Sequence, residues 1–261
     1  MFSCSDIGLA CTGKAMPVRK LAKDLIRWYR KHRRPWPWRD NPTPYRVWIS
    51  EVMLQQTQAK TVIPYYRRFL ERFPDVDSLA AASERDILQL WAGLGYYRRA
   101  RNLHWAAKLI VEKHGEFPRD LKTILELPGV GRYTAGAICS LAFNQEQPVV
   151  DGNVRRVISR LEGIQHGETE NYFWRRMSEW IPRRHPSDFN QAMMELGATV
   201  CLPLHPLCSL CPVEKTCEAR RLGIQDQIPA ARTRRAVQQS KMVILIFETG
   251  SRILLTSAMK V

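Results

Sequence analysis

The chain lacks any run approaching the roughly 20 uncharged apolar residues that a bilayer-spanning helix requires, so neither a helical span nor a membrane partner is expected. The opening segment also reads poorly as a secretory leader. The opening MFSCSDIGLACTGKAMPVRK has a short apolar patch but no basic region ahead of it. Met16 stands directly before the first helical pattern, so residues 1–16 read as a disordered tail or an upstream start. The expected location is cytoplasmic, nucleoid-associated in a bacterium, where thiols stay reduced. Disulfides are then not expected, and the seven cysteines need another explanation. Sheet-like alternation is absent before residue 240. Acidic residues are scarce: 25 Asp and Glu face 40 Lys and Arg, a formal net charge of +15. Such an excess suits a polyanion, because each neutralised phosphate releases counterions. Charge kept only for solubility would look the same, so the excess suggests nucleic acid without choosing an activity.

What is present is mostly helix. The 261 residues, 45% of them apolar, are enough for one large or two small domains with a real core. Apolar residues recur at helical spacing over 17–33, from Pro44 through YRVWISEVMLQQTQ, and over 60–73, 84–93, 98–114, 118–127, 132–143, 152–161, 170–181 and 188–200. PWPWRDNPTP (35–44) breaks the first of these, and Pro44 suits the first turn of the next. Residues 222–240 read as a polar linker, and KMVILIFETGSRILLTS (241–257) as a β-hairpin turning at Thr249–Ser251.

Three features carry chemistry. Cys201, Cys208, Cys211 and Cys217 form C-x6-C-x2-C-x5-C in a proline-rich segment. Four thiolates in one loop suit tetrahedral zinc or an iron–sulfur centre, and spacing alone leaves both open. Of the other thiols, Cys4 and Cys11 fall in the tail and Cys139 in the core. Pro128, Gly129 and Gly131 lie between two helical patterns. The glycines permit close backbone approach, and amides ahead of the second helix suit a phosphate; the same glycines also serve as a plain connector. Finally, Glu51 is the only charge in VWISEVML, and Asp151 follows an apolar PVV at the start of a helix. A carboxylate in apolar company is paired, protonated or functional, and an Asp at a helix start is also a good N-cap. Taken together, an acid with raised pKa and a solvated carboxylate are what cleavage of an N-glycosidic bond requires. Glu195, in AMMELGATV, is a third acid in apolar company that would contact the base.

At this point a resemblance becomes specific. SEVMLQQTQ (50–58), LWAGLGYYRRARNL (90–103), LPGVGRYTAGAI (127–138), VVDGNVRRV (149–157), FNQAMMELGA (189–198) and the cysteine loop occur in this order. The chain resembles the adenine DNA glycosylases of the helix-hairpin-helix superfamily, which also includes endonuclease III, over about residues 17–217. The resemblance implies a mainly α, two-lobed helix-hairpin-helix glycosylase: a six-helix-barrel lobe over about 45–152, and a cluster lobe over about 17–44 plus 153–221. It implies a 4Fe-4S cluster on the four cysteines, and a monomer acting on duplex DNA with adenine opposite 8-oxoguanine or guanine. By motif, Glu51 would protonate adenine at N7 and later help activate water. Asp151 would stabilise the sugar cation, with Asn153 and Tyr133 nearby. Arg34, Trp38 and Glu195 would line the base pocket. Gln56 and Tyr96 would wedge into the stack, and Gly129 and Gly131 would hold the backbone. Tyr96 and Tyr97 would otherwise serve packing; beside Arg98, Arg99 and Arg101, DNA contact is expected of them.

Tyr133 occupies the place where the endonuclease III branch has a lysine that forms a Schiff base. Tyrosine cannot form one, so a monofunctional enzyme is expected. Two departures from the family stand out. Leu202, Leu204, His205 and Leu207 replace basic residues common in the cysteine loop. The usual Nudix-like C-terminal domain, which recognises 8-oxoguanine, is represented by 241–261 alone; a whole protein of this length would discriminate 8-oxoguanine from guanine less well. The rival readings are a thymine-mismatch glycosylase, a bifunctional lyase, and a non-catalytic DNA-binding module.

Overall fold

The computed structural model describes residues 18–165 and 168–230, and strand segments between 242 and 260. The expectations for residues 1–16, Cys4 and Cys11 lie outside the described residues. The first compact unit runs to Ala230. Its helices are α1 (Val18–His32), α2 (Pro44–Leu54), α3 (Ala59–Arg72), α4 (Val76–Ala81), α5 (Glu84–Trp91), α6 (Arg98–His114), α7 (Leu121–Leu125), α8 (Arg132–Ala137), α9 (Gly152–Glu162), α10 (Glu170–Trp180), α11 (Pro186–Thr199) and α12 (Glu218–Leu222). α8 runs on through a π-helical turn over Ile138–Ala142. None of the described helices is long and apolar enough to cross a membrane.

Local chemistry explains the helix starts. Thr43 caps α2 ahead of Pro44, Asp75 forms a capping box with Ser78 on α4, and Asp151 caps α9. α4 was not expected from periodicity, since six residues are too few to show it. α2 also stops earlier than its sequence suggests. It ends at Leu54, and Gln56 takes φ 56°, in the left-handed region no helix interior uses.

Buried apolar side chains gather into two cores. One joins Trp38, Trp48, Met53, Phe69, Trp91, Leu103, Ile110 and Ile138. The other joins Leu25 and Tyr29 of α1 to Val150, Val157, Trp174, Met177, Phe189 and Met193. α2 lies in the first, α9 and α11 in the second, so residues at their margins face one another across the junction. Within the stretch expected as a polar linker, residues 223–230 belong to the first unit: Ile228 is buried, and its carbonyl accepts a hydrogen bond from Arg160. The second unit begins at Ala231. In it Ile246–Thr249 pairs antiparallel with Arg252–Leu255, and Met242–Val243 with Met259–Lys260. The expected turn at Gly250 and Ser251 lies outside the described residues.

Candidate active site

A cleft of about 1040 Å³ opens at the junction of the two cores. Trp38, Glu51 and Gln56 line it from one side, and Tyr133, Asp151, Asn153 and Glu195 from the other, with Arg34 at its edge. Eight of the sequence-derived site residues therefore meet in one place.

Glu51 sits in the last two turns of α2 and is 7% exposed. Burial pushes its carboxyl up to about 7, helped by the charge of Asp151, against a hydrogen bond from Tyr133 and the attraction of Arg39. The Tyr133 hydroxyl also touches Met194 Sδ, at 3.6 Å. Burial, then the charges of Glu51 and Asp151, hold the phenol well above its ordinary pKa, so it stays protonated beside Glu51. Asp151 has a different environment. Its Oδ1 accepts from Val154 N at 2.7 Å and its Oδ2 from Asn153 Nδ2 at 2.9 Å. The N-cap and site readings of Asp151 thus describe one geometry: capping aims the carboxylate into the cleft mouth.

Glu195 is 1% exposed and fully engaged. Its oxygens accept from Arg34 N, Nε and Nη2 and from Arg39 Nη2, at 2.7–3.1 Å. Burial alone would raise its pKa, but these hydrogen bonds outweigh that and bring it below the ordinary value. Glu195 is therefore an ionised anchor that fixes two guanidinium groups at the pocket wall, not a free acid. Arg39 went unrecognised in the sequence, where it is one of many arginines. It also donates to the Arg34 carbonyl at 2.9 Å and lies 5.5 Å from the Tyr29 ring. Arg156 was missed as well. It bonds Asn153 Oδ1, Gly197 O and the carbonyl of Cys201, each at 2.8 Å.

The hairpin residues lie apart from the cleft lining. Gly129 has φ 76°, and a Cβ there would lie 2.7 Å from Asn102 Nδ2 and 2.8 Å from its Cβ. Gly131 has no such crowding and caps α8 from an open position. Gly129→Ala should destabilise the fold by about 1–3 kcal/mol, whereas Gly131→Ala should leave the melting temperature almost unchanged; thermal melts of the two variants check this. Tyr96 is 62% exposed with φ 48°. Among the arginines expected beside it, Arg101 pairs with Glu84 at 2.9 Å, and Arg99 turns back into the protein.

The four cysteine thiols are only partly exposed, and they surround a small enclosed space together with Arg160. Among the described residues, no three side chains converge closely enough for a single metal ion. Burial pushes Cys211 up to about 12 and Cys217 to about 11, and the neighbouring thiols add to this. Arg160 is 1% exposed; its guanidinium reaches Cys201 Sγ at 3.3 Å and the carbonyls of Leu202, Pro203 and Ile228. Among the described residues the buried Arg160 guanidinium has no carboxylate partner, and a multi-atom anionic thiolate centre on the four cysteines would supply its counter-charge.

The family described as HhH-GPD superfamily base excision DNA repair protein matches residues 49–183. The chain is 47% identical over 221 residues to the adenine DNA glycosylase of Homo sapiens, covering 79% of this chain and 40% of that protein. It is 37% identical over 239 residues to the adenine DNA glycosylase of Buchnera aphidicola subsp. Schizaphis graminum, covering 89% of this chain and 69% of that one. Among solved structures, a thermostable thymine-DNA glycosylase aligns with a TM-score of 0.73 at 28% identity, covering 78% of this chain and 97% of that chain. The chain spans about half the length of the curated relatives it matches, from 40% to 57% for the mouse, human and one Buchnera protein.

Proposed function

Since the chain belongs to the helix-hairpin-helix base-excision DNA repair superfamily, and within it to the adenine DNA glycosylase family, we propose that it hydrolyses the N-glycosidic bond of adenine mispaired with 8-oxoguanine or guanine in duplex DNA. The observation that carries this reading is Glu51, a buried carboxyl with its pKa near neutrality at a cleft that also holds Asp151. A pKa near the operating pH lets Glu51 arrive protonated and give its proton to N7 of the leaving base. It then returns as a base to activate water. Asp151 supplies negative charge to the oxocarbenium-like sugar, and Asn153 keeps that carboxylate turned toward it. Tyr133 stands beside Glu51 as a protonated phenol and offers no amine, so base release proceeds without a Schiff base. Trp38 and the Arg34–Glu195–Arg39 array would form the wall against a flipped base.

Cys201, Cys208, Cys211 and Cys217 would hold a 4Fe-4S cluster, with Arg160 neutralising part of its charge. When bound, that cluster would serve structure and DNA positioning. The hairpin residues Gly129 and Gly131 would hold backbone phosphate. The strand segments beyond Ala230 would be the start of a domain that reads 8-oxoguanine, and the acting species a monomer.

The test is single-turnover base release from three duplexes: adenine opposite 8-oxoguanine, adenine opposite guanine, and thymine opposite guanine. Strand breaks appearing only after alkali, at adenine, are expected. Release at thymine alone would favour the activity that the thymine-DNA glycosylase neighbour is named for. Breaks without alkali, with a borohydride-trapped adduct, would indicate a lyase.

A further inference from the structure

Of the five non-glycine residues with positive φ among the described residues, two, Gln56 and Tyr96, stand in short segments that one side chain bridges. Gln55–Gln58 leaves α2 with Gln56 at φ 56°, and Gly93–Tyr97 leads into α6 with Tyr96 at φ 48°. Such backbones persist only where the surroundings over-determine them, and they concentrate at functional sites. One side chain reaches both segments, and Trp91 Nε1 adds a hydrogen bond to Gly95 O at 3.1 Å in the second.

Arg99, in the first turn of α6, points away from solvent and into the gap between the two segments. Its Nη1 donates to Val52 O at 2.9 Å, Met53 O at 3.0 Å and Gln55 O at 2.6 Å. Its Nη2 donates to Leu94 O at 3.2 Å and Gly95 O at 3.3 Å, and reaches Thr57 Oγ1 at 3.4 Å. The first set occupies carbonyls that the end of α2 leaves free; the second fixes the approach to Tyr96. The same guanidinium lies 5.4 Å from the ring of buried Trp91 and 5.4 Å from that of Tyr96. Tyr96 is thus held by its backbone and by its ring, yet 62% of it faces solvent. An aromatic side chain fixed this firmly and left uncovered is not there for packing. Arg99 itself carries the cost of desolvation, which lowers its pKa, and among the described residues its Nε has no partner.

We propose that Arg99 is a positioning residue for base extrusion: one guanidinium bolts the two segments together, so that Gln56 and Tyr96 enter the base stack as a single preformed wedge. The inference rests on the glycosylase reading above. Its energetic logic is preorganisation. A wedge already in place does not have to be ordered at the moment the target base is unstacked. Lysine would keep the charge but not the function, because a single ammonium cannot span both segments as the planar fork does.

Arg99→Lys tests this, with Arg99→Gln as a second variant should the first not fold. A duplex with 2-aminopurine beside the target adenine reports unstacking by fluorescence, independently of chemistry. Single-turnover release is then compared for adenine opposite 8-oxoguanine and adenine opposite an abasic site, where no partner holds the base in the stack. We expect the fluorescence rise to shrink several-fold, release from the 8-oxoguanine pair to slow about tenfold or more, and release opposite the abasic site to change far less. A residue serving only stability would slow both substrates alike. Equal losses, or an unchanged fluorescence rise, would overturn the proposal. Were the wild-type protein to unstack the base but release nothing, the fluorescence comparison would still decide the role of Arg99, and the glycosylase reading alone would fall.

Discussion

Glu51→Gln should abolish adenine release while leaving DNA binding intact, slowing single turnover by about a hundredfold to ten-thousandfold, the range for loss of a general acid or base. Glutamine keeps the size and polarity of the side chain, but it cannot deliver a proton. The substitution should also stabilise the protein at alkaline pH. A carboxyl whose pKa rises from 4.5 to about 7 on folding binds its proton more tightly in the native state. Stability is therefore greatest below 4.5, declines as pH rises from 4.5 to about 7, and is level above that. At 1.36 kcal/mol per pH unit, that interval amounts to about 3 kcal/mol. Glutamine has no proton to lose, so at pH 8 the variant should gain up to about 3 kcal/mol over the wild type, and at pH 4 almost nothing. Denaturant melts at the two pH values, with single-turnover assays alongside, check both halves. A variant that is inactive but no more stable at pH 8 would mean that Glu51 is solvated, not buried.

Arg160→Leu should cost the fold about 3 kcal/mol, because the carbonyls of Ile228, Leu202 and Pro203, the first of them buried, lose their donor at once. In a domain of this size the melting temperature should fall by about 10 °C. If the thiols hold an anionic cluster, purified protein should also contain markedly less iron per chain, since the only buried cation against Cys201 among the described residues is gone. Thermal melts and iron analysis read the two effects separately. A lower melting temperature with full iron content would confine Arg160 to holding the loop; no change in either would contradict the account of this region.

Most helices were legible in the sequence because their apolar spacing and caps agree. α6 matches its expected span, and α9 buries Val154, Val157, Ile158 and Leu161, the four residues its period picks out. Glu51 was legible for the opposite reason, being a charge where the pattern calls for none. Apart from α4, too short to show a period, the misses have a common cause in long-range contact. Gln55–Gln58 looks helical because glutamine is a good helix former, and it is Arg99, more than forty positions away, whose donors take up the carbonyls at the end of α2. Arg39, Arg156 and Arg160 carry no local mark in a chain with 40 basic residues. Only folding separates the three that bind carboxylates, amides or thiols from the many that face water. Glu195 was placed correctly at the pocket, but its role depends on two arginines about 160 positions away, which no motif could reveal.

The most direct test of the central claim is the pH dependence of single-turnover adenine release by the wild-type protein from the duplex with 8-oxoguanine opposite. If Glu51 delivers its proton to the leaving base, the rate should fall as pH rises through about 7, because the acid form is lost above that value. A rate that stays level from well below to well above neutrality, matched by an active Glu51→Gln variant, would contradict it.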